Sequence, residues 1–400
     1  MSALEVQIGV SASLPDVVGA LAAADRSLRG VHPFRDVVVH LDGFLRISSI
    51  AMLTSWARDV SQRGLRVHVK ATSDVRNYLE RMGVLELAGI EGRPRVRARP
   101  QGGRFVVMQD VSRPEVIGTA IDAMLEFVLH AYPDEVDLFP SVEWVLGEVL
   151  DNVQEHAHDP GCAVAVAQRY EKVHEIELAV VDRGIGLAAA LGTDRGGLDA
   201  AEAVSLAVRQ GVSSKGVGRG NGLAGISQIA ALNRGRFTLL SGAASRVQGE
   251  SGDAETSGHE HFAGTCASVV LRSDHGVDLA QTLIGAGDWT YLDRLWADAD
   301  GMMTLDVAER LDTVATREAA HRLATYVINV LAGRSGALRL DFGRSRNPTS
   351  AFCGELVGIL LAGLGPSWPR RVVFSGLTPF GKQILSHASS AGSPPGEDPP

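Results

Sequence analysis

Apolar residues along this chain switch repeatedly between two periods, and the switches mark its elements. Val37-Val38-Val39-His40-Leu41 is a β-branched run of strand length. From Ile50 to Ser61 the apolar positions (Ile50, Leu53, Trp56, Ala57, Val60) recur at helical spacing, and Gly64 stops the pattern. Leu65 to Val69 reads as a second strand and Val75 to Met82 as a short helix punctuated by Gly83. Strand, helix, strand, helix predicts an α/β domain over residues 1–95. Glu91 to Gly103, rich in Arg, Pro and Gly, suits a connector.

The middle of the chain reads differently. Pro114 to Ala131 and Pro140 to His158 are helical in pattern, and Ala163 to Gln168 and Ile176 to Val181 are strand runs. Gly211 to Gly222 is glycine-dense and runs into a helix, Leu223 to Leu232; Arg236 to Leu240 and Cys266 to Leu271 are further strands. Ser245 to Gly258, polar and Gly/Ser-rich, is expected to be a mobile loop. Helices followed by strands that pair back predict an α+β sandwich over 104–272. The last part, 276–387, repeats the first rhythm: strand Leu338 to Phe342, helix Ser350 to Leu364, strand Arg371 to Ser375, helix Pro379 to Ser386. Residues 388–400 hold no large apolar side chain and are expected to form a disordered tail.

Composition narrows the class. A chain of 400 residues predicts two or three domains, and 45% hydrophobic with 21% charged residues describes a globular protein. A net charge of −9 argues against nucleic acid or an anionic membrane as the default partner. Cys162, Cys266 and Cys353 lie far apart, with no disulfide framework or zinc spacing, which fits a reducing compartment. The N-terminal residues lack a basic region followed by an apolar run, and the apolar stretch Ala351 to Leu364 is interrupted by Glu355. The expectation is a soluble cytoplasmic protein.

Three middle segments carry candidate chemistry. Glu148 and Asn152 lie one helical turn apart on one face. An Asn oxygen can ligate Mg²⁺, which takes few protein ligands, and a carboxylate one turn away can deprotonate a nucleophile; spacing alone fits a polar surface face equally well. Asp182 ends a strand, where it can accept from an exocyclic amine, and Gly184 and Gly186 permit close approach of backbone; the plain alternative is an Asp-x-Gly turn. Gly218, Gly220 and Gly222 lead into a helix at Leu223, so backbone N–H groups and the helix dipole can face phosphate, with charge from Lys215 and Arg219. The alternative there is a flexible loop. No strand directly precedes these glycines, so they match neither a Walker loop nor a Rossmann fingerprint. His156, His158 and His259-Glu260-His261 lack a third ligand at metal spacing and read as solvated; Arg317, ahead of a helix, reads as a surface residue.

In order and spacing, Glu148-x-x-x-Asn152, Asp182-x-Gly184-x-Gly186, Gly218-x-Gly220-x-Gly222-Leu223 and the late Gly264-Thr265 resemble the GHKL (Bergerat-fold) ATPases, over roughly 104–272. That resemblance implies that Asn152 binds Mg²⁺, that Asp182 binds the adenine of ATP, and that Thr265 holds the adenine-side water. The glycines serve lid and phosphates, and Glu148 is the general base. A glutamate at that position points to hydrolysis or to phosphorylation of a hydroxyl, as in the anti-sigma-factor serine kinases, rather than of histidine. GHKL modules often dimerise, so a homodimer is compatible with the resemblance.

The flanking parts resemble STAS domains, the anti-sigma-factor antagonist fold. Val38 to Leu41, Leu45 to Ile50, Leu65 to Val69 and Tyr78 to Leu85 carry the N-terminal match, and Leu338 to Phe342 with Thr349 to Leu356 the C-terminal one, which covers about 310–387. The resemblance implies an α/β and α+β multidomain chain, a Bergerat sandwich between two STAS-like domains, with STAS or sigma-factor regulators as protein partners. Ser49 falls on the family's phospho-acceptor position, though Ile47 and Ile50 stand where the family has Asp and Gly; Ser350 is acceptor-like in the C-terminal part. Local chemistry offers the alternatives that Ser48, and Thr349 or Ser350, cap the helices that follow. The function expected is an ATPase or serine/threonine kinase of a partner-switching type. The alternatives are a non-catalytic nucleotide-gated scaffold and a histidine kinase relative.

Overall fold

The structure, a computed structural model, describes residues 3–9, 12–30, 33–90, 104–132, 138–156, 162–192, 197–209, 222–249, 254–277, 302–311, 313–331, 336–345 and 347–391. The protein is mixed α/β with three sheets among these residues. Its contacts divide it into two compact units, residues 1–132 with 141–286, and residues 133–140 with 287–400.

The first unit opens with strands β1 (Ala3–Ile8), β2 (Asp36–Leu41) and β3 (Arg66–Ala71), all parallel and in the order β1-β2-β3. Parallel neighbours need crossovers, here helices α1 (Leu14–Ser27) and α2 (Ile47–Gln62); α3 (Ser73–Arg81) and α4 (Val84–Leu87) follow. Ser13 and Asp16 form a reciprocal capping box at α1, and Thr72 caps α3. Two elements ahead of Val37, β1 and α1, escape the periodicity because β1 is half-exposed and α1 is rich in alanine. Helix α2 begins at Ile47, with Arg46 in the cap position and no side-chain cap bond, so Ser48 is not the cap but lies within the first turn. The Arg46 guanidinium is engaged elsewhere, as described below.

Helix α2 is buried on every side: Ile47, Ser48, Ser49, Met52, Thr54, Ser55 and Trp56 are all closed from solvent. A helix apolar all round must have neighbours all round. Those neighbours are its own three-stranded sheet and a second, antiparallel sheet in the order β4-β5-β6-β8-β7, built from β4 (Gln109–Asp110), β5 (Val164–Tyr170), β6 (Glu175–Asp182), β7 (Arg236–Gln248) and β8 (Ala254–Arg272). Val164, Val166, Ala179, Val181, Leu240 and Cys266 of that sheet join one hydrophobic cluster with α1 and α2. The small polar groups of α2 stay satisfied: Thr54 Oγ1 donates to Ile50 O at 2.7 Å, and Ser55 Oγ to Cys162 O at 2.6 Å. The rhythm that separates 1–95 from 104–272 in sequence thus coexists with a single shared core.

Among the described residues the chain continues with α5 (Pro114–Ala131), α6 (Leu138–His156, in this unit from Ser141), α7 (Gly186–Gly192), α8 (Ala200–Ala207) and α9 (Gly222–Leu232). The described parts of 245–258 are strand, not the expected loop, because β7 and β8 run on as a ribbon past a register shift at Gly242. Its cross-strand partners are small and polar, as in Ser245 Oγ with Ser257 Oγ at 3.2 Å, which hides the ladder from a hydrophobicity pattern. The expected connector at 91–103 lies outside the described residues.

The second unit contains β9 (Met303–Asp306), α10 (Val307–Arg310), α11 (Arg317–Leu331), β10 (Leu338–Asp341), α12 (Ser350–Leu364), α13 (Trp368–Arg371), β11 (Val372–Ser375) and α14 (Pro379–Ala391). Its strands are parallel in the order β11-β10-β9, so it repeats the β-α-β-α-β-α topology of the first residues. Thr349 caps α12, accepting from Phe352 N at 3.2 Å. The 22-residue stretch Ser350–Arg371 is long and apolar enough by composition to cross a membrane. Here it is broken into α12 and α13, and Phe352, Cys353, Leu356, Val357 and Leu360 of α12 are buried within the unit. Helix α14 runs to Ala391, four residues into the tail expected from 388, with Ser389 Oγ bonded to Leu385 O at 3.0 Å; residues 392–400 lie outside the described residues.

Candidate functional site

Strands β6, β8 and β7 lie side by side, and their register brings Asp182, Thr265 and Ser241 into one row. Strand residues alternate between faces. Ala179 and Val181 of β6 face α1 and α2, so Val180 and Asp182 face the other way. The row therefore forms a ledge on the sheet face opposite the N-terminal residues.

Asp182 is 9% exposed. Its carboxylate accepts from Gly184 N at 2.7 Å and from the Thr265 backbone N–H. Burial pushes its pKa up to about 6, against those two backbone donors and the Arg183 charge, which lower it. A carboxylate has roughly four acceptor positions, so two remain for another donor.

Two glycines shape the ledge. Gly186, at φ 75°, starts α7, and a Cβ there would press against Ser241 Oγ. Gly264, at φ 115°, lies so close to the Asp182 carbonyl and Arg183 Cα that no side chain fits. Ser241, which no sequence signal marks beyond its place late in a strand run, ties these parts together. Its Oγ accepts from Leu187 N at 2.9 Å, donates to Gly264 O at 3.0 Å, and lies 3.4 Å from Thr265 Oγ1.

Glu148 and Asn152 are both half-buried on α6, which packs through Val142, Val145, Leu146, Val149 and Val153. A Cβ on Gly222 would collide with the Glu148 carboxylate, so the start of α9 and the middle of α6 are in direct contact. Leu223 follows on α9, half-buried. The structure thus brings Asp182, Gly184, Gly186 and Thr265 together, and Glu148 against Gly222. Lys215, Gly218 and Gly220 lie outside the described residues.

Amide and carboxylate oxygens such as those of Asn152, Glu148 and Asp182 suit a hard cation better than a soft metal. Among the described residues no group of three His, Cys, Asp or Glu is placed to hold a metal by itself. His259 and Glu260 lie on β8, where Glu260 pairs with Arg26. Arg317 is the exposed first residue of α11.

The two acceptor candidates differ in access. Ser49 is 2% exposed, in the first turn of α2. Ser350 is exposed at the first position of α12. A contact absent from any motif ties the start of α2 to the antiparallel sheet: Arg46 reaches Glu177 with Nε at 2.8 Å and Glu175 with Nη2 at 2.8 Å, over the Tyr170 ring at 4.5 Å.

Comparison with known protein families, with curated proteins and with solved structures finds no match to this chain.

Proposed function

We propose that the central part of the chain is a Bergerat-type module that binds ATP with Mg²⁺, and that the protein is a regulatory ATPase or serine/threonine kinase of a partner-switching type. The observation that supports this reading is that residues far apart in the chain meet in two places. Asp182, Thr265, Gly184 and Gly186 form a buried ledge with two free carboxylate acceptor positions, and Glu148 abuts the helix that follows the glycine-rich segment.

In this reading Asp182 accepts from the adenine amine, Asn152 ligates Mg²⁺, and Lys215, Gly218, Gly220 and Gly222 serve the phosphates. Bound ATP supplies the transferable phosphoryl group. Glu148 takes the proton from the attacking water or hydroxyl as the new P–O bond forms and the bond to the ADP oxygen breaks. The two repeats then serve as partner-binding or acceptor modules of STAS type, in a cytoplasmic protein able to form a homodimer. Exposure favours Ser350 over Ser49 as acceptor.

The test is radiolabelled ATP with the full chain and a STAS-type protein. Retained label supports the kinase, free phosphate the ATPase. Glu148→Ala is expected to lower either product about 10²–10⁴-fold while ATP still binds, whereas Asn152→Ala loses Mg²⁺-dependent binding. ATP binding with no product from the wild type selects the second reading, a nucleotide-gated scaffold. The closure of the N-terminal repeat over the sheet is the feature that favours that second reading.

A further inference from the structure

Arg183 stands between Asp182 and Gly184, yet its side chain leaves the ledge. It follows Ala179 and Val181 to the opposite face, toward α1 and α2. Its guanidinium is 5% exposed. Nη2 lies 3.0 Å from Asp25 Oδ2 and 2.9 Å from Asp59 Oδ2, and Nε lies 3.2 Å from Asp59 Oδ2. The Phe262 ring lies beneath it at 5.1 Å. Trp56 Nε1 holds Asp25 at 2.9 Å, and Arg63 pairs with Asp59 and reaches Asp25 at 4.0 Å.

Two carboxylates and two guanidiniums balance, so the cluster is electrically neutral where it is buried. A planar guanidinium gripping carboxylates from two different helices has little freedom left. The backbone beside it is equally confined, since Gly264 packs directly on the Asp182 carbonyl and on Arg183 Cα. The position of the Asp182 carboxylate is therefore constrained by the Arg183 clamp on one face of the sheet and by Gly264 in the neighbouring strand.

We propose that Arg183 is a positioning residue of the nucleotide site: its grip on Asp25 and Asp59 sets where the Asp182 carboxylate stands, so the N-terminal repeat helps to set selectivity for the adenine base. This rests on reading the ledge as an adenine site. It assigns to Asp25 and Asp59, on the far side of the sheet, an effect on base recognition.

The full-length chain is compared with Asp25→Asn, Asp59→Asn and Arg183→Lys, with Asp182→Asn marking lost base recognition. ATP and GTP affinities are measured with Mg²⁺ by competition against a fluorescent ATP analogue, and unfolding midpoints are recorded without nucleotide. Asp59→Asn, which touches two of the contacts, is expected to weaken ATP about tenfold and to leave GTP nearly unchanged. The ATP-to-GTP preference then falls toward that of Asp182→Asn. Asp25→Asn shifts the ratio less, in the same direction, and Arg183→Lys, which loses the planar fork, shifts it at least as far as Asp25→Asn. Folded variants that keep the wild-type ratio, or lose both nucleotides in parallel, overturn the inference while leaving the ATP reading intact. If Asp59→Asn does not fold, Asp25→Asn carries the same expectation with one contact removed. A folded wild type that binds neither nucleotide overturns the ATP reading and the inference with it.

Discussion

The Asp182 carboxyl titrates near pH 6 because burial disfavours its charge more than two backbone N–H groups and Arg183 favour it. Its folded value lies above its ordinary value of 3.8, so the stability it contributes is full below about pH 4 and is lost as pH rises through about 6. On the proposed adenine reading, ligand recognition runs the other way, since the ionised carboxylate is the stronger acceptor for an amine. ATP affinity is expected to rise from pH 5 to 7, and Asp182→Asn to remove that part of the rise which the phosphates do not supply; titrations of both proteins across this range decide it. Backbone conformation makes a second expectation. Gly264→Ala places a side chain at φ 115° against the Asp182 carbonyl. It should cost about 3 kcal/mol or more in urea unfolding and abolish ATP binding. Asp182 and its glycines were legible because the turn needs those residue types. Ser241 and Arg183 were not: a serine late in a strand and an arginine in a turn signal nothing until the partner strands and helices are in place.

Among the elements, β6 was the most legible, a nearly continuous apolar run that fits a strand buried on both faces. Its one internal charge, Glu177, is 2% exposed at the side chain and rests on Arg46, with Ser268 Oγ donating at 3.1 Å. Removing one partner of a buried pair strands the other, at roughly 3–5 kcal/mol. The Arg46 side chain is 44% exposed, so solvent screening reduces the figure. Arg46→Ala is expected to cost about 2 kcal/mol in denaturant unfolding, and to raise exchange of the α2 amides. The helix itself was readable from Ile50, but its first turn was not, since Arg46 spends its side chain on another sheet instead of capping. The β7–β8 ribbon stayed hidden for a related reason: its stability comes from polar cross-strand pairs and from packing against α1 and α8, neither of which leaves a hydrophobic period.

At the scale of the molecule, the two β-α-β-α-β-α repeats share a topology but not a degree of freedom: one has Ser49 sealed at 2% exposure and the other has Ser350 open to solvent. The sequence showed the repeat, because strand and helix periods recur in the same order. It did not show that 1–90 covers the antiparallel sheet, because a strand buried by a neighbouring module reads like one buried by its own helices. Deleting residues 1–95 uncovers Val164, Val166, Ala179, Val181, Leu240 and Cys266 together. The remaining chain is expected to bind a hydrophobic dye and aggregate, and a soluble, ATP-binding fragment 104–286 would contradict a shared core. Helix α2 bears the consequence most directly. Each added residue turns everything after it by about 100°. An insertion anywhere between Ile50 and Trp56 would therefore misalign the helix with two sheets at once, and no rotation could repair one seam without opening the other. The length of this segment is fixed more tightly than its composition, so natural variation there should take the form of substitutions and never of insertions.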